Sequence, residues 1–430
     1  MFGKGAFLFN DNNKMVFVMK KQLFFIPLLL INFTACSINP KTEVSAAQHA
    51  KAPTSKHKKH GHKKSNDGVI SVDIVNSNNR LHLLTGKLLQ GKKTLWYQNS
   101  NDGGKSWSSA VKVLNEDNIA VKMTRGNDAQ IAAQGDNIVI TWTKYDPKSR
   151  FKAGAMQAAR STDGGLHWQY SAAPPDWKKG PHGFIDMAAD NHAMHAVWLD
   201  SRVKNPGIKA TQGLRYSIST DGGLSWQSNK TLDSVSCSCC WNTVKTDADG
   251  KAYVLYRDKQ PSDMSIGVIN NQQQWHYLSH VGAFNWQFDG CPHIGGSVDF
   301  QNAAGNKRMH SVVGTGHPDH LGVHYLYSDD GGKNWSTPLP LGTESAIHAD
   351  IAAHDNGWVI AIWDMMTENG LVVFKAESKN RGKNWSASEQ ISTTNMRASH
   401  PRIVKTKKGF FAVWTESNGQ ETTLATQVFY

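Results

Sequence analysis

Short segments of alternating apolar and polar residues recur along the chain from about residue 69 onward. Two examples are 137–142, Asn-Ile-Val-Ile-Thr-Trp, and 194–199, Met-His-Ala-Val-Trp-Leu. Gly, Asn or Asp stand at the turns between such segments, which is typical of antiparallel strands joined by tight turns. The sequence therefore predicts an all-β fold built from seven consecutive units, which begin near Val69, Asp128, Gly183, Asn242, Gly296, Ala349 and Pro401.

An eight-residue motif, Ser-x-Asp-x-Gly-x-x-Trp, repeats through the same region. It occupies residues 100–107, 161–168, 219–226 and 328–335, and a fifth copy at 378–385 has Asn at the central position. The motif resembles the Asp boxes of the sialidase superfamily and related β-propellers. Repeats of this kind indicate supersecondary units that bury their apolar faces on their neighbours.

The physical chemistry of this motif is local to its turn. An Asp side chain accepts hydrogen bonds from the backbone of its own turn, Gly adopts a positive φ, and Trp packs beneath the hairpin. We therefore expect structural rather than catalytic roles for Asp102, Asp163, Asp221 and Asp330.

The resemblance implies that residues 69–430 form a single β-propeller of six or seven four-stranded blades. Seven units are counted, although the sialidase enzymes have six blades. The fourth unit lacks the box and carries Gln274-Trp275 instead, and the last unit ends at Tyr430 after about three strands. Regular units of this length predict one closed domain, because each sheet packs against the next.

The first 36 residues have the features of an export signal. Met19-Lys20-Lys21 precedes an apolar run, 23–31, that has the length of a secretory h-region. The run leads to Phe33-Thr34-Ala35-Cys36, which resembles the lipobox of bacterial lipoproteins. Translation is expected to start at Met19, and Cys36 is the expected lipidation site. The resemblance implies a lipid anchor in the bacterial cell envelope, and Ser37 favours the outer membrane.

Positive charge is concentrated in this N-terminal region. The whole chain carries a formal net charge of +12, but residues 1–68 hold 11 Lys and 3 acidic residues, which leaves only +4 for residues 69–430. The nearly balanced body argues against a nucleic-acid partner. Residues 37–68 are rich in Ala, Ser, Lys and His without apolar periodicity, and we expect a flexible tether.

The sialidase resemblance implies one kind of site at the mouth of the central channel that a propeller encloses. In that superfamily three Arg bind a carboxylate, a Tyr activated by Glu attacks the sugar, and an Asp transfers the proton. The Phe-Arg-Ile-Pro motif that should open the first unit is absent, because Gly68-Val69-Ile70-Ser71 stands there. The residues available for these roles are Arg202, Arg257, Arg402, Tyr256, Glu416 and Asp200.

The residues themselves favour a second hypothesis, a copper- or zinc-binding or thiol-redox mouth. Cys-x-Cys-Cys, followed about fifty residues later by Cys-Pro-His, supplies thiolate and imidazole, which select soft metals. Two disulfides would also satisfy the four Cys that remain after Cys36. The expected metal ligands are His182, Cys237, Cys239, Cys240, Cys291, His293, His348 and His400.

A third possibility is a glycan-binding platform without chemistry, since one fold supports many functions. Trp241, Trp286 and Trp358 stand near predicted loops, where their rings could stack on sugars or simply pack in the core. The sequence leaves these three hypotheses open.

Overall fold

The computed structural model describes residues 67–149, 151–202, 211–303 and 305–430. The predictions made for the signal peptide, Cys36 and the tether to residue 66 lie outside these residues. Twenty-eight strands form the regular structure of the described part, together with one 3-10 turn at Pro318–His320. Within that part, no helix is long and apolar enough to cross a membrane.

The strands follow one another in seven groups. The first three groups are β1 (Asp67–Ser77), β2 (Arg80–Leu89), β3 (Lys92–Ser100) and β4 (Val111–Val113); β5 (Val121–Lys122), β6 (Gln130–Gln134), β7 (Asn137–Tyr145), β8 (Ala153–Ser161) and β9 (Gln169–Ser171); and β10 (His182–Ala189), β11 (Met194–Asp200), β12 (Thr211–Ser219) and β13 (Lys230–Cys237).

The remaining groups continue in the same order. They are β14 (Thr243–Thr246), β15 (Ala252–Arg257), β16 (Met264–Ile269) and β17 (Trp275–His280); β18 (Gly296–Ala303), β19 (Asn306–Thr315), β20 (Gly322–Ser328) and β21 (Leu339–Leu341); β22 (Ala346–Ala353), β23 (Val359–Thr367), β24 (Gly370–Ser378) and β25 (Glu389–Gln390); and β26 (Arg397–Lys405), β27 (Phe410–Ser417) and β28 (Glu421–Phe429).

Each group is an antiparallel sheet whose strands pair in chain order, except that β5 and β6 both pair with β7 in the second group. Seven apolar clusters lie between consecutive groups, and the last of them joins the seventh group to the first. The sheets are thus arranged in a ring, which explains why middle strands such as β11 are buried along their whole length. The inner strands surround a channel, where a cavity of about 220 Å³ is lined by residues of all seven groups, including Val75, Ala132, Met187, Thr246, Asp299, Ile351 and Ile403.

The ring closes where the two ends of the described chain meet. β1 pairs in parallel with β28, with Asp67 opposite Glu421 and Gly68 opposite Thr422. Gly68 has a φ of 121°, and a Cβ added to it would lie 2.0 Å from the Thr422 carbonyl oxygen. Only Gly fits this junction. β1 begins at Asp67, two residues before the predicted domain boundary at residue 69. It pairs with the outer strand of the last group, which has only the three strands β26, β27 and β28.

The Asp boxes form the turns after the third strand of their groups. In the first box the Ser100 hydroxyl donates to Asp102 at 2.7 Å, and the backbone N–H groups of Lys105 and Ser106 donate to Asp102 at 3.0 Å each. The Ser106 hydroxyl also donates to Asp102, at 2.5 Å, and this bond together with the others holds the pKa of Asp102 well below its usual range. The ring centroid of Trp107 lies 5.3 Å from that of Phe411 in the neighbouring group. The box therefore stabilises its turn and a contact between sheets.

Inner strands are also linked through buried carboxylates. Four Asp side chains accept a hydrogen bond from a backbone N–H of the next group at 2.7–2.9 Å. Each carboxylate satisfies a backbone donor that its neighbour would otherwise leave unpaired at the channel wall. The donor–acceptor pairs are Ile131 with Asp73, Val244 with Asp186, Ala353 with Asp299, and Ile403 with Asp350.

Candidate functional site

The first residues of several inner strands are displaced by β-bulges at one end of the channel. The pairing register shifts between Gly183 and Asp186, between Ala346 and Ala349, and between Ser399 and Arg402. Bulges of this kind redirect side chains and often lie beside active sites. The redirected side chains form the end of the channel that we call the mouth.

Two histidines at the mouth share one buried carboxylate. His348 Nδ1 lies 2.9 Å from both carboxylate oxygens of Asp364, which is fully buried. The backbone N–H groups of His348 and His400 also donate to this carboxylate, at 3.1 and 2.7 Å. Asp364 therefore fixes the orientation of the His348 ring and leaves Nε2 free for other chemistry, as in a base held by a carboxylate.

The His400 ring stacks on that of His348. Their centroids are 3.7 Å apart and the planes differ by 18°. Burial, the adjacent His348 and the charge of Arg125 lower the pKa of His400 far below its ordinary value, so its imidazole is neutral at physiological pH. His400 has a positive φ of 51°, which is uncommon outside Gly. Strain of this kind is concentrated at functional sites.

Trp241 covers the two histidines. Its ring centroid is 4.7 Å from that of His348 and 5.5 Å from that of His400, both in edge-to-face geometry. The indole N–H donates to the carbonyl of Gly126. Gly126 lies in the interruption between β5 and β6, where a Cβ would meet the Trp241 ring at 2.3 Å.

The segment between β5 and β6 also places the cationic side chain of Arg125 at the mouth. Arg125 donates to the Asp128 carboxylate at 2.7 Å and to the carbonyl of His400. Asp128 in turn accepts the backbone N–H groups of Gly126 at 3.0 Å and of Val72 at 3.0 Å. Arg125 and Asp128 thus support the mouth from the second group.

Arg402 faces the space beneath Trp241. It lines a cavity of about 30 Å³ together with Trp241, His348 and His400. Among the described residues, none accepts a hydrogen bond from its guanidinium and no carboxylate forms a salt bridge with it. Its donors are available to a small polar or anionic group that enters the cavity.

Carboxylates deeper in the channel balance this charge. Burial opposes the charge of Arg402, but Asp350, Asp73 and Asp186 outweigh it and raise the pKa of the guanidinium. Burial raises the pKa of Asp73 to about 7 and that of Asp186 to about 6, although Arg402 acts in the opposite direction on both.

The three arginines predicted to clamp a carboxylate are not brought together. Arg202 donates through Nε to Asp200 at 2.9 Å and pairs with Asp176 at 2.8 Å. Arg215 donates to the other oxygen of Asp200 at 3.0 Å. Burial raises the pKa of Asp200, but the hydrogen bonds from both arginines outweigh it and lower that pKa, which disfavours a role as a proton donor.

Arg257 is also committed elsewhere. Its guanidinium is buried and donates to the carbonyls of Ile294 at 3.2 Å, Gly314 at 2.6 Å and Ser262. It also lies over the Trp286 ring at 5.1 Å. Arg402 is therefore the member of the predicted trio that faces the mouth cavity.

The predicted nucleophile and base lie on different groups. Tyr256 is buried on β15 and donates to Asp233 at 3.0 Å, and burial followed by Asp233 raises its pKa, the opposite of activation. Glu416 on β27 accepts from the indole of Trp414 at 2.9 Å and from the Thr393 N–H at 2.8 Å. Neither residue has the contacts that the resemblance implied.

The eight predicted metal ligands separate into two clusters and outlying residues. Cys237, Cys239 and Cys240 form one buried cluster, and His348 and His400 join Asp364 in another. His182 is buried elsewhere, where its Nδ1 accepts the Met156 N–H at 2.9 Å, and burial lowers its pKa to about 4. The remaining two, Cys291 and His293, lie on an exposed loop.

Several mouth residues were not singled out by sequence reasoning. Arg125 and Gly126 lie in an interruption of an inner strand that carries no motif. Asp364 lies within β23 and belongs to no motif, and only the fold shows that its carboxylate accepts hydrogen bonds from both histidines.

Comparisons with known proteins agree with this architecture. The family model described as the BNR/Asp-box repeat matches residues 326–337, which contain the whole of the fourth full box. The structure is similar to an ulvan lyase of a polysaccharide lyase family, solved with a GlcA–Rha3S polysaccharide, at a TM-score of 0.54 and 10% identity over 85% of this chain and 97% of that chain. No curated protein sequence matches the chain.

Sialidases have lower structural similarity. A Trypanosoma rangeli sialidase mutant with trans-sialidase activity has a TM-score of 0.46 at 10% identity, covering 72% of this chain and 54% of that one. The chain therefore spans about half the length of that sialidase. The intramolecular trans-sialidase from Ruminococcus gnavus has a TM-score of 0.42 at 10% identity, covering 82% of this chain and 92% of that chain.

These findings confirm the class that the sequence predicted. The chain is an all-β propeller with the Asp-box repeats found in the sialidase superfamily and related propellers. At 10% identity, the likeness to the lyase shows the fold alone. The chemistry must therefore be argued from the mouth of this chain.

Proposed function

We propose that the mouth binds an acidic saccharide and that His348 transfers a proton during its cleavage. The observation that carries the proposal is the arrangement around one cavity of a cation with free donors, a carboxylate-held imidazole and a Trp ring. The similarity to an ulvan lyase, a polysaccharide lyase solved with a bound saccharide, supports a glycan as the ligand class.

The size of the cavity decides which part of the ligand enters it. About 30 Å³ holds one or two water molecules or a small substituent, not a sugar ring. A carboxylate or sulfate beside Arg402 would accept its planar donors, as anions of this geometry do. The sugar ring would then lie over Trp241, in the stacking position that aromatic residues provide at ligand sites.

His348 is the residue best placed for proton transfer. Asp364 orients its ring through Nδ1, so that Nε2 is the nitrogen available to a ligand. The stacked His400 is neutral and adds no positive charge beside it. Arg402 would bind the acidic substituent, and Trp241 would position the ring.

Binding and turnover test this proposal separately. Purified protein is screened against acidic and neutral oligosaccharides by calorimetry, and ligands are then assayed for reducing ends and for the ultraviolet absorbance of unsaturated uronates. We expect acidic saccharides to bind more tightly than neutral ones, and Trp241→Ala and Arg402→Gln should each weaken their binding. His348→Ala should retain binding and lose turnover, whereas the exposed His167→Ala should change neither. Equal affinity for neutral and acidic sugars would contradict the role of Arg402.

We also propose that this propeller is anchored in the bacterial envelope through a lipidated Cys36. The support is the signal-like segment and lipobox resemblance in the sequence. Metabolic labelling with a fatty acid should mark the wild type and not Cys36→Ser, and the variant should leave the membrane fraction. Unchanged labelling of Cys36→Ser would contradict the anchor.

A further inference from the structure

A compact group of sulfur atoms lies beside the mouth, between the third and fourth sheets. Cys237 ends β13, and Cys239 and Cys240 follow in the turn before β14. Cys237 Sγ is 2.9 Å from Cys240 Sγ and 3.8 Å from Cys239 Sγ, and all three sulfurs lie within 4.8 Å of one another. Each of the three residues is at least 93% buried.

A fourth sulfur reaches the edge of this group. Cys291, on the loop between β17 and β18, lies 3.6 Å from the Ser238 hydroxyl and interacts with the Cys239 thiol. Unlike the other three residues it is exposed to solvent. The four residues thus form a buried sulfur triad with an accessible fourth member on one side.

An aromatic ring and a buried cation lie beside the triad. Phe184 packs against the cluster that the three Cys side chains form. The buried Arg257 guanidinium donates to the carbonyls of Ile294 and Gly314, which hold its positive charge in a fixed position near these sulfurs.

We propose that Cys237, Cys239, Cys240 and Cys291 bind one thiophilic metal ion, Cu(I) or Zn(II). Thiolates select these ions, and four sulfurs at a metal–sulfur distance of ~2.3 Å lie about 3.8 Å from one another in a tetrahedron. The Cys237–Cys239 separation already has this value, and the Cys237–Cys240 pair must open slightly. Cys237 contacts two sulfurs at once, which favours a shared centre over isolated pairs.

This site is independent of the function proposed for the mouth. None of the four Cys lines the mouth cavity, whereas the ligand of the mouth would contact Trp241 and Arg402 there. Failure of either proposal therefore leaves the other in place.

The experiment is metal titration of the full chain, reduced and handled without oxygen or chelators. Cu(I) is delivered from a chromophoric Cu(I) chelator in one arm, and Zn(II) from a chromophoric Zn(II) chelator in the other. We expect one equivalent of one ion to be taken from its chelator, and X-ray absorption should show sulfur ligands. Cys237→Ser and Cys240→Ser should each weaken binding by more than the ~10–100-fold that loss of an outer-shell partner costs.

Two controls separate the cluster from other ligands. Ser238→Ala changes the same turn without removing a sulfur, and His348→Ala removes the competing imidazole at the mouth; both should bind metal as the wild type does. Circular dichroism shows whether each Cys variant is folded. The proposal is overturned if the reduced wild type takes no metal from either chelator, if the folded Cys237→Ser/Cys240→Ser double variant retains full binding, or if His348→Ala abolishes it.

Discussion

His348 and His400 stack with their ring centroids 3.7 Å apart, one at the start of the sixth inner strand and the other at the start of the seventh. Both backbone N–H groups bond to Asp364, whose carboxylate also accepts from His348 Nδ1. One buried carboxylate thus holds two consecutive sheets and a potential base in a single arrangement. A change at Asp364 should therefore affect both the stability of the fold and the chemistry of His348.

Asp364→Asn should therefore affect both activity and stability. Asn keeps the size of the side chain but replaces one acceptor by a donor, so one of these N–H groups loses its partner. We expect the free energy of unfolding to fall by about 1–3 kcal/mol. Turnover should fall more than ligand affinity, because His348 loses its fixed tautomer. Urea unfolding and a kcat-against-KM comparison measure these effects, and an Asn variant with wild-type turnover would contradict the role given to His348.

The Asp-box contact between sheets gives a matched pair of variants. Gly103 and Gly104 both have positive φ, at 78° and 92°. A Cβ on Gly104 would lie 2.2 Å from the Phe411 ring, whereas one on Gly103 has its first neighbour, Thr406, at 3.7 Å. Gly104→Ala should be less stable than Gly103→Ala by about 1–3 kcal/mol. Denaturant unfolding of both variants measures the difference, and equal stability would show that the close approach is unimportant.

Ring closure can be tested in the same way at Gly68. Gly68→Ala places a methyl group against the Thr422 carbonyl, while Gly91→Ala, also at positive φ, projects into open space. We expect Gly68→Ala to be the less stable of the two, with faster hydrogen exchange in β1 and β28, because the parallel pair opens. Protection of β1 and β28 that matches the Gly91→Ala variant would contradict closure through this pair.

Stability should depend on pH through the buried His310. Its Nδ1 lies 2.8 Å from the Tyr325 hydroxyl, and burial followed by the charges of Arg308 and Arg381 lowers its pKa to about 3, with Asp329 opposing. Between this value and the ordinary 6.5, the unfolded chain binds more protons than the folded one. The contribution of His310 is therefore complete above pH 6.5 and lost as the pH falls toward 3.

His310→Gln should flatten this dependence. The stability difference between wild type and variant, measured by denaturant unfolding, should grow as the pH rises from 4 to 6.5. The exposed His276→Gln provides the control and should follow the wild type. Parallel pH profiles for wild type and His310→Gln would show that His310 is not the titrating group.

Local patterns predicted most of the fold. Alternation located the strands, and the inner strands begin within a few residues of the predicted starts, as at Gly296 and Asn242. The boxes were identifiable because Ser, Asp, Gly and Trp act within one turn. Closure through Gly68 and Thr422 was not predictable, because it joins residues at opposite ends of the described chain through backbone contacts alone.

The candidate site was predicted only in part, because it also depends on contacts between residues that are far apart in the chain. His348, His400 and Arg402 were found because residues that begin inner strands converge at one mouth. Arg202 and Arg257 were equally plausible by position, yet nearby carboxylates and carbonyls satisfy them. Such partners depend on tertiary contacts, and neither alternation nor motif spacing encodes them.

Whether the mouth selects an acidic saccharide is measured by the affinity of the purified protein for an acidic oligosaccharide and for its neutral, carboxyl-reduced counterpart. Wild type should bind the acidic form more tightly, and Arg402→Gln should remove that preference while leaving weak binding of the neutral form over Trp241. Equal binding of both forms by wild type, or an acidic preference that survives in a folded Arg402→Gln variant, would contradict an acidic-saccharide site at the mouth.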